Sequence, residues 1–282
     1  MAAPYSEMDP ETLEREYSPS TCVPSEDPYL AAYATRTAHA REALGVQEYT
    51  YGSGADDLVD FYPAPSPISA LLIFIHGGYW QALGRADSGF MAEDLAGHGI
   101  ATAVPEYTLC PHATLMEIVQ QTRRAVRFVC NQAPSWGIDA RRILLAGHSA
   151  GAHLAAMCLL DPITAAGVQG AVLVSGVYDL EPLVYTTTND AVGLSIDEAR
   201  RLSPLRLIGP GLRPIATFVG RNEPSEFHRQ STEFAAAWAG SGTRNSAEAC
   251  VIVNDRNHFD LPMDLGASNT VVGHACLTAL GA

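Results

Sequence analysis

Two short stretches carry residue types able to do covalent chemistry. LAGHSAG (145–151) places G-x-S-x-G around Ser149, and FIHGGYW (74–80) contains His76-Gly77-Gly78. A serine becomes a nucleophile when its hydroxyl stands clear of the backbone and a base removes its proton. Ser149 follows the apolar run RILLA and precedes AHLAAMCLL (152–160), a strand–turn–helix setting that lifts a hydroxyl above a sheet. Gly147 and Gly151 suit a turn where strand and helix approach too closely for side chains. The start of the helix adds unpaired N–H groups and the positive end of its dipole. A serine N-cap with chance glycines is the competing reading.

An acyl-transfer intermediate carries a negative oxygen that fixed backbone N–H groups stabilise. Gly77 and Gly78, after the apolar run 70–75, are expected to supply two such donors, and Ala150, next to the serine, the third. The base is sought among nine histidines. His148 and His153 flank the serine on a tight turn and are read as structural. His258, in NDRNHFD, follows the last strand-like run, and on such sites the acid and then the histidine follow the serine in chain order. The acid is expected after IATFVG (215–220), at Glu223, where it would orient the imidazole and stabilise its positive charge. Glu226, at a helix start, Asp255 and Asp179 are its rivals. Tyr79 and Trp80 are expected either to wall the substrate pocket or to pack beneath the loop.

The elements that must hold these residues follow from the pattern. Short apolar runs at 70–76, 101–107, 142–147, 170–177, 215–220 and 249–253 read as strands buried on both faces, and 46–52 with 58–64 as an earlier pair. Helical spacing appears at 27–44, 88–97, 114–133, 152–160, 226–239 and 268–280. Alternation of this kind predicts an α/β fold with a mostly parallel sheet, whose ligand site lies outside the carboxyl ends of the strands. Every candidate residue above follows a strand end. The 282 residues fit a single domain (1–282), with a helical extension at 1–45 and a capping insertion near 181–212.

Composition narrows the function classes. A net charge of −14 argues against nucleic acid or an anionic membrane as partner, leaving a small-molecule substrate. All 17 basic residues are arginine, which excludes a Schiff-base or P-loop lysine. The six cysteines are scattered with no C-x-x-C pair, so no metal site, disulfide framework or cofactor is expected. The acidic, proline-broken start lacks the pattern of a secretory signal, and no apolar run reaches the roughly 18 residues of a membrane span; a cytoplasmic protein is expected. Homo-oligomerisation is not readable from the chain.

Taken together, HGGYW (76–80), GHSAGAHLAA (147–156), GVYDLEPL (176–183), SEFHRQS (225–231), NHFD (257–260) and YSPSTCVP…YL (17–30) resemble the α/β-hydrolase superfamily, and within it the arylformamidase (kynurenine formamidase) group. The resemblance implies a metal-independent serine hydrolase that removes a formyl group from an aryl amine, with Ser149 as nucleophile and His258 as base. The animal members carry aspartate where this chain has Glu223. Rival expectations are a carboxylesterase acting on small esters, a specialised hydrolase or cyclase of secondary metabolism, and a non-catalytic binding protein of the same fold.

Overall fold

Six-residue runs without a charged side chain set the centre of the molecule: Ala70–Ile75, Ile100–Pro105 and Ile143–His148 are buried at every position. The computed structural model describes residues 4–65, 67–68, 70–243 and 249–282. Its strands are β1 (Gln47–Thr50), β2 (Leu58–Tyr62), β3 (Ala70–Ile75), β4 (Ile100–Pro105), β5 (Ile143–His148), β6 (Ala171–Val174), β7 (Ile215–Asn222) and β8 (Val251–Asn257). They form one sheet in the order β1-β2-β4-β3-β5-β6-β7-β8. The β1–β2 and β2–β4 pairs are antiparallel; all others are parallel. The mostly parallel α/β-hydrolase sheet expected from the sequence is therefore present. Pro105 ends its strand, as its missing N–H requires.

The helices are α1 (Pro10–Glu16), α2 (Asp27–Leu44), α3 (Ala92–Ala96), α4 (Leu115–Gln132), α5 (Ala150–Leu159), α6 (Pro162–Ala165), α7 (Asn189–Val192), α8 (Ile196–Arg201), α9 (Ser225–Gly240) and α10 (Val271–Leu280). Alternation along β3 assigns the two faces. Leu71, Ile73 and Ile75 pack with Ile118 and Val126 of α4, Leu154 of α5 and Phe234 of α9. Leu72 and Phe74 face Tyr33 of α2, Leu95 of α3 and Cys276 of α10. α4 starts at a capping box, Thr114 with Glu117, which satisfies two otherwise unpaired amides.

Two expectations change. The run 249–253 does not form a strand buried on both faces: β8 is the sheet edge, and Val251 and Ile252 are exposed. A β-branched run satisfies an edge as well as a centre, and only the strand order distinguishes them. The helix expected over 88–97 shortens to α3. The stretch 181–212 holds two short helices, α7 and α8, the second started by a Ser195–Glu198 capping box.

Candidate active site

Five strand ends meet at one edge of the sheet. The chain leaves β3 into His76-Gly77-Gly78, β5 into Ser149, β6 into Ser175, β7 into Glu223 and β8 into His258. β7 runs two residues beyond the apolar run, through a register irregularity at Gly220/Asn222, so Glu223 directly follows it.

Ser149 has φ 56° and ψ −120°, a backbone region costly for a non-glycine residue, by about 1–3 kcal/mol. Its N–H is held by the Val174 carbonyl at 2.9 Å, and its side chain makes no capping bond to α5. The N-cap reading is thereby set aside. The flanking glycines are required: a Cβ on Gly147 would collide with the Gly151 carbonyl, and one on Gly151 with the carbonyls of Ile75 and His76.

His258 Nδ1 lies 2.7 Å from Glu223 Oε2, with both side chains buried. The other Glu223 oxygen accepts from Ser175 Oγ and from the Gly220 N–H, both at 2.6 Å. This leaves His258 Nε2 as the nitrogen available to Ser149, and both residues line one cavity. No hydrogen bond joins the Ser149 hydroxyl to the imidazole; such contacts often tighten only around substrate. Asp255 is exposed, with φ 57°, and makes no bond to His258. Glu226 pairs with Arg229 at 2.6 Å, and Asp179 with Arg206 at 3.4 Å.

Among the described residues, the backbone N–H groups of Gly77, Gly78 and Ala150 donate to no protein acceptor. A Cβ placed on Gly77 would stand 3.1 Å from Ser149 Cβ, so the loop passes directly beside the serine. Beneath it, His76 Nε2 lies 3.0 Å from Glu106, and the His76 ring stacks on Tyr107 at 4.1 Å. The Tyr107 hydroxyl donates to the carbonyls of His76 and Gly77. Burial alone would raise the Glu106 pKa, but the His76 contact and the Arg85 and Tyr107 amides outweigh it and hold the carboxyl below its usual range.

His148 and His153, read as structural, are buried on the serine turn. Burial and the adjacent His258 hold His148 well below the ordinary histidine pKa, and its Nε2 faces the His258 carbonyl at 2.8 Å. Burial lowers His153 to about 4.

Tyr79 lines the cavity, its hydroxyl donating to the Tyr17 carbonyl at 2.7 Å. Trp80 does not: it is fully buried and packs edge-on against His153 at 5.0 Å. The two aromatics both have positive φ, which turns the chain over so that only the first faces the cavity. The cavity, of about 400 Å³, is otherwise lined by the N-terminal segment, through Glu14, Tyr17 and Tyr33, and by Thr187 and Thr188 of the stretch 181–212. Ser175, Glu106 and Tyr107 escaped the sequence reading. Their signal was their place after strand ends, the rule that found the other residues.

The family model described as BD-FAE matches residues 60–164. A kynurenine formamidase of Danio rerio is 32% identical over 295 residues, covering 98% of each chain. Another, of Salmo salar, is 34% identical over 252 residues, covering 83% of this chain and 84% of the relative. A crystal structure from Silicibacter sp. TM1040, described as a "putative thioesterase", superposes with a TM-score of 0.82 at 26% identity, covering 96% of this chain and 99% of the other. With its sheet order, serine turn and near full-length relatives, the chain belongs to the α/β-hydrolase family, as a serine hydrolase of the branch that includes the kynurenine formamidases.

Proposed function

We propose that the protein hydrolyses an N-formyl aryl amide of the N-formylkynurenine type to the free amine and formate. The observation that carries this reading is the Glu223–His258 pair beside Ser149, facing unpaired N–H groups at Gly77, Gly78 and Ala150. The substrate class comes from what the Danio rerio and Salmo salar relatives are named for. The closeness of the Gly77 loop to Ser149 suits a small acyl group such as formyl.

In the first half-reaction Ser149 Oγ bonds to the formyl carbon while its proton passes to His258 Nε2. The carbonyl oxygen becomes an oxyanion held by the three backbone donors. Glu223 keeps the imidazole in the required tautomer and stabilises its charge. Collapse of the intermediate breaks the C–N bond, and His258 returns its proton to the departing nitrogen. Water then attacks the formyl ester and gives a proton to His258. The C–Oγ bond breaks, that proton returns to Ser149, and formate leaves. These steps use only side chains and backbone of this chain.

The same machinery would cleave a small ester or thioester, and the description of the Silicibacter structure as a putative thioesterase favours that second reading. The two separate by kcat/KM for N-formylkynurenine and formanilide beside p-nitrophenyl acetate, with Ser149→Ala as control. Formamide preference of at least tenfold is expected, with turnover in Ser149→Ala reduced by about 10⁶. Ester turnover without formamide turnover would retire the formamide reading and keep the hydrolase.

A further inference from the structure

Two peptide planes end in the Gly77 and Gly78 amides, and one side chain holds the far end of both. The bonds His76–Gly77 and Gly77–Gly78 are trans, so each carbonyl points opposite to the N–H that follows it. The Tyr107 hydroxyl donates to the His76 carbonyl at 2.9 Å and to the Gly77 carbonyl at 3.2 Å. His76 Nδ1 also reaches the Gly77 carbonyl, at 3.0 Å, and a carbonyl only accepts, so the ring nitrogen is the donor. With both carbonyls drawn towards Tyr107, the two N–H groups are turned away from it. Gly78 lines the cavity together with Ser149.

Two consecutive glycines would otherwise leave these planes free to turn. Burial, and then the neighbouring Glu106 charge, raise the Tyr107 hydroxyl well above the ordinary phenol range, so it keeps the proton that it donates. Its ring lies on that of His76 with the planes within 8° of each other. Glu106 fixes His76 from the other side, its Oε1 standing 3.0 Å from Nε2. Glu106 is held in turn by the amides of Arg85 at 3.0 Å and Tyr107 at 3.2 Å.

We propose that Tyr107 is a positioning residue for the oxyanion site, aiming the Gly77 and Gly78 amides at the acyl oxygen, with His76 and Glu106 as its support. The inference rests on the serine-hydrolase chemistry proposed above and holds for a formamide or an ester alike, since both place a negative oxygen there. Tyr107 does not line the cavity, so its hydroxyl is no part of substrate binding. Deleting that hydroxyl leaves the two amides in the chain and loosens where they point. Donors stabilise an oxyanion fully only when they are fixed before the charge develops, so the cost falls on the transition state and not on the bound substrate.

The test uses the full-length protein and Tyr107→Phe, which keeps the ring on His76 and removes only the hydroxyl. For formanilide and p-nitrophenyl acetate, kcat is expected to fall at least about tenfold with KM kept within about twofold. The loss stays below the roughly 10²–10³-fold seen when an oxyanion donor is deleted outright. Phenylboronic acid gives a second readout that needs no turnover. Ser149 Oγ bonds to boron, its proton passes to His258, and a boronate oxygen takes the oxyanion's place. Calorimetry should show its Kd raised by about the factor by which kcat falls. Glu106→Gln, which loosens His76, should give a smaller loss of the same pattern, and it carries the test if urea unfolding shows that the phenylalanine variant does not fold. Unchanged kcat and boronate affinity in the variants overturns the proposal, as does a rise in KM alone, the mark of a pocket wall. Ser149→Ala tests the underlying chemistry separately. If it keeps the turnover and boronate affinity of the unaltered protein, the serine-hydrolase reading falls and the proposal with it. If it loses both while Tyr107→Phe loses neither, only the proposal falls.

Discussion

Glu223 and Asp255 are both acids near His258 in chain order, yet only Glu223 touches the imidazole, through one oxygen, while Ser175 and the Gly220 amide hold the other. Glu223→Gln is therefore expected to lower kcat by about 10³–10⁴, since the amide cannot hold the productive tautomer. Asp255→Asn should leave kcat within about twofold, its exposed side chain making no bond to the site. Steady-state kinetics on the two variants checks the ranking, and equal losses would remove Glu223 from its proposed role. Ser175 acts one step further out, as a positioning residue. Ser175→Ala deletes one hydrogen bond to a buried carboxylate, a loss of about 1–1.5 kcal/mol, and should lower kcat about tenfold with KM retained. A change in KM alone would mean that Ser175 shapes the pocket instead of holding Glu223.

At the scale of elements, the serine turn works because β5, α5 and the end of β3 are in van der Waals contact. Gly151 is the point of closest approach, where any side chain would strike the Ile75 and His76 carbonyls. Gly151→Ala is expected to destabilise the fold by about 1–3 kcal/mol, measured by urea unfolding, because β3 and α5 must separate to admit one methyl. The N-terminal segment is tied down differently. Tyr17 follows α1, and its hydroxyl donates to Glu226 at 2.7 Å and accepts from Gln230 at 2.8 Å, both on α9. Helix α2 reaches the histidine loop through Tyr33, which donates to the Phe259 carbonyl, and Tyr29, which accepts from Asn257 at 3.0 Å. Thus the N-terminal segment both roofs the cavity and braces the loop carrying His258.

For the molecule as a whole, buried histidines set the acid side of stability. His153 is held at about 4 against an ordinary 6.5, and His148 is also depressed, both chiefly by burial. Below about pH 6.5 the unfolded chain takes up protons that the native sites refuse, so stability is complete above that value and falls as pH drops towards 4. His153 alone accounts for about 3 kcal/mol across this window. Urea unfolding at a series of pH values should show this slope, and His153→Gln should flatten it; an identical slope in the variant would place the proton uptake elsewhere. Among the described residues no helix is long and apolar enough to cross a membrane, and no cluster of ligating side chains could hold a metal ion.

The sequence by itself determined the sheet class, the serine turn and the identity of Gly77, Gly78, Ser149, Glu223 and His258 at their strand ends. These are local matters: apolar runs, glycines at a tight turn, and an order along the chain that strand–helix alternation turns into position. It could not say that 249–253 lies at the sheet edge, because burial of a strand depends on its neighbours and not on its own composition. Nor could it decide between Tyr79 and Trp80, adjacent aromatics that a strained turn sends to opposite sides. Glu14, Tyr17 and Glu26 lie more than 120 residues from Ser149 and carry no motif of their own. Only the packing of the N-terminal segment over the strand ends brings their charge and rings to the cavity, and a contact between distant segments leaves no periodic trace in a single sequence.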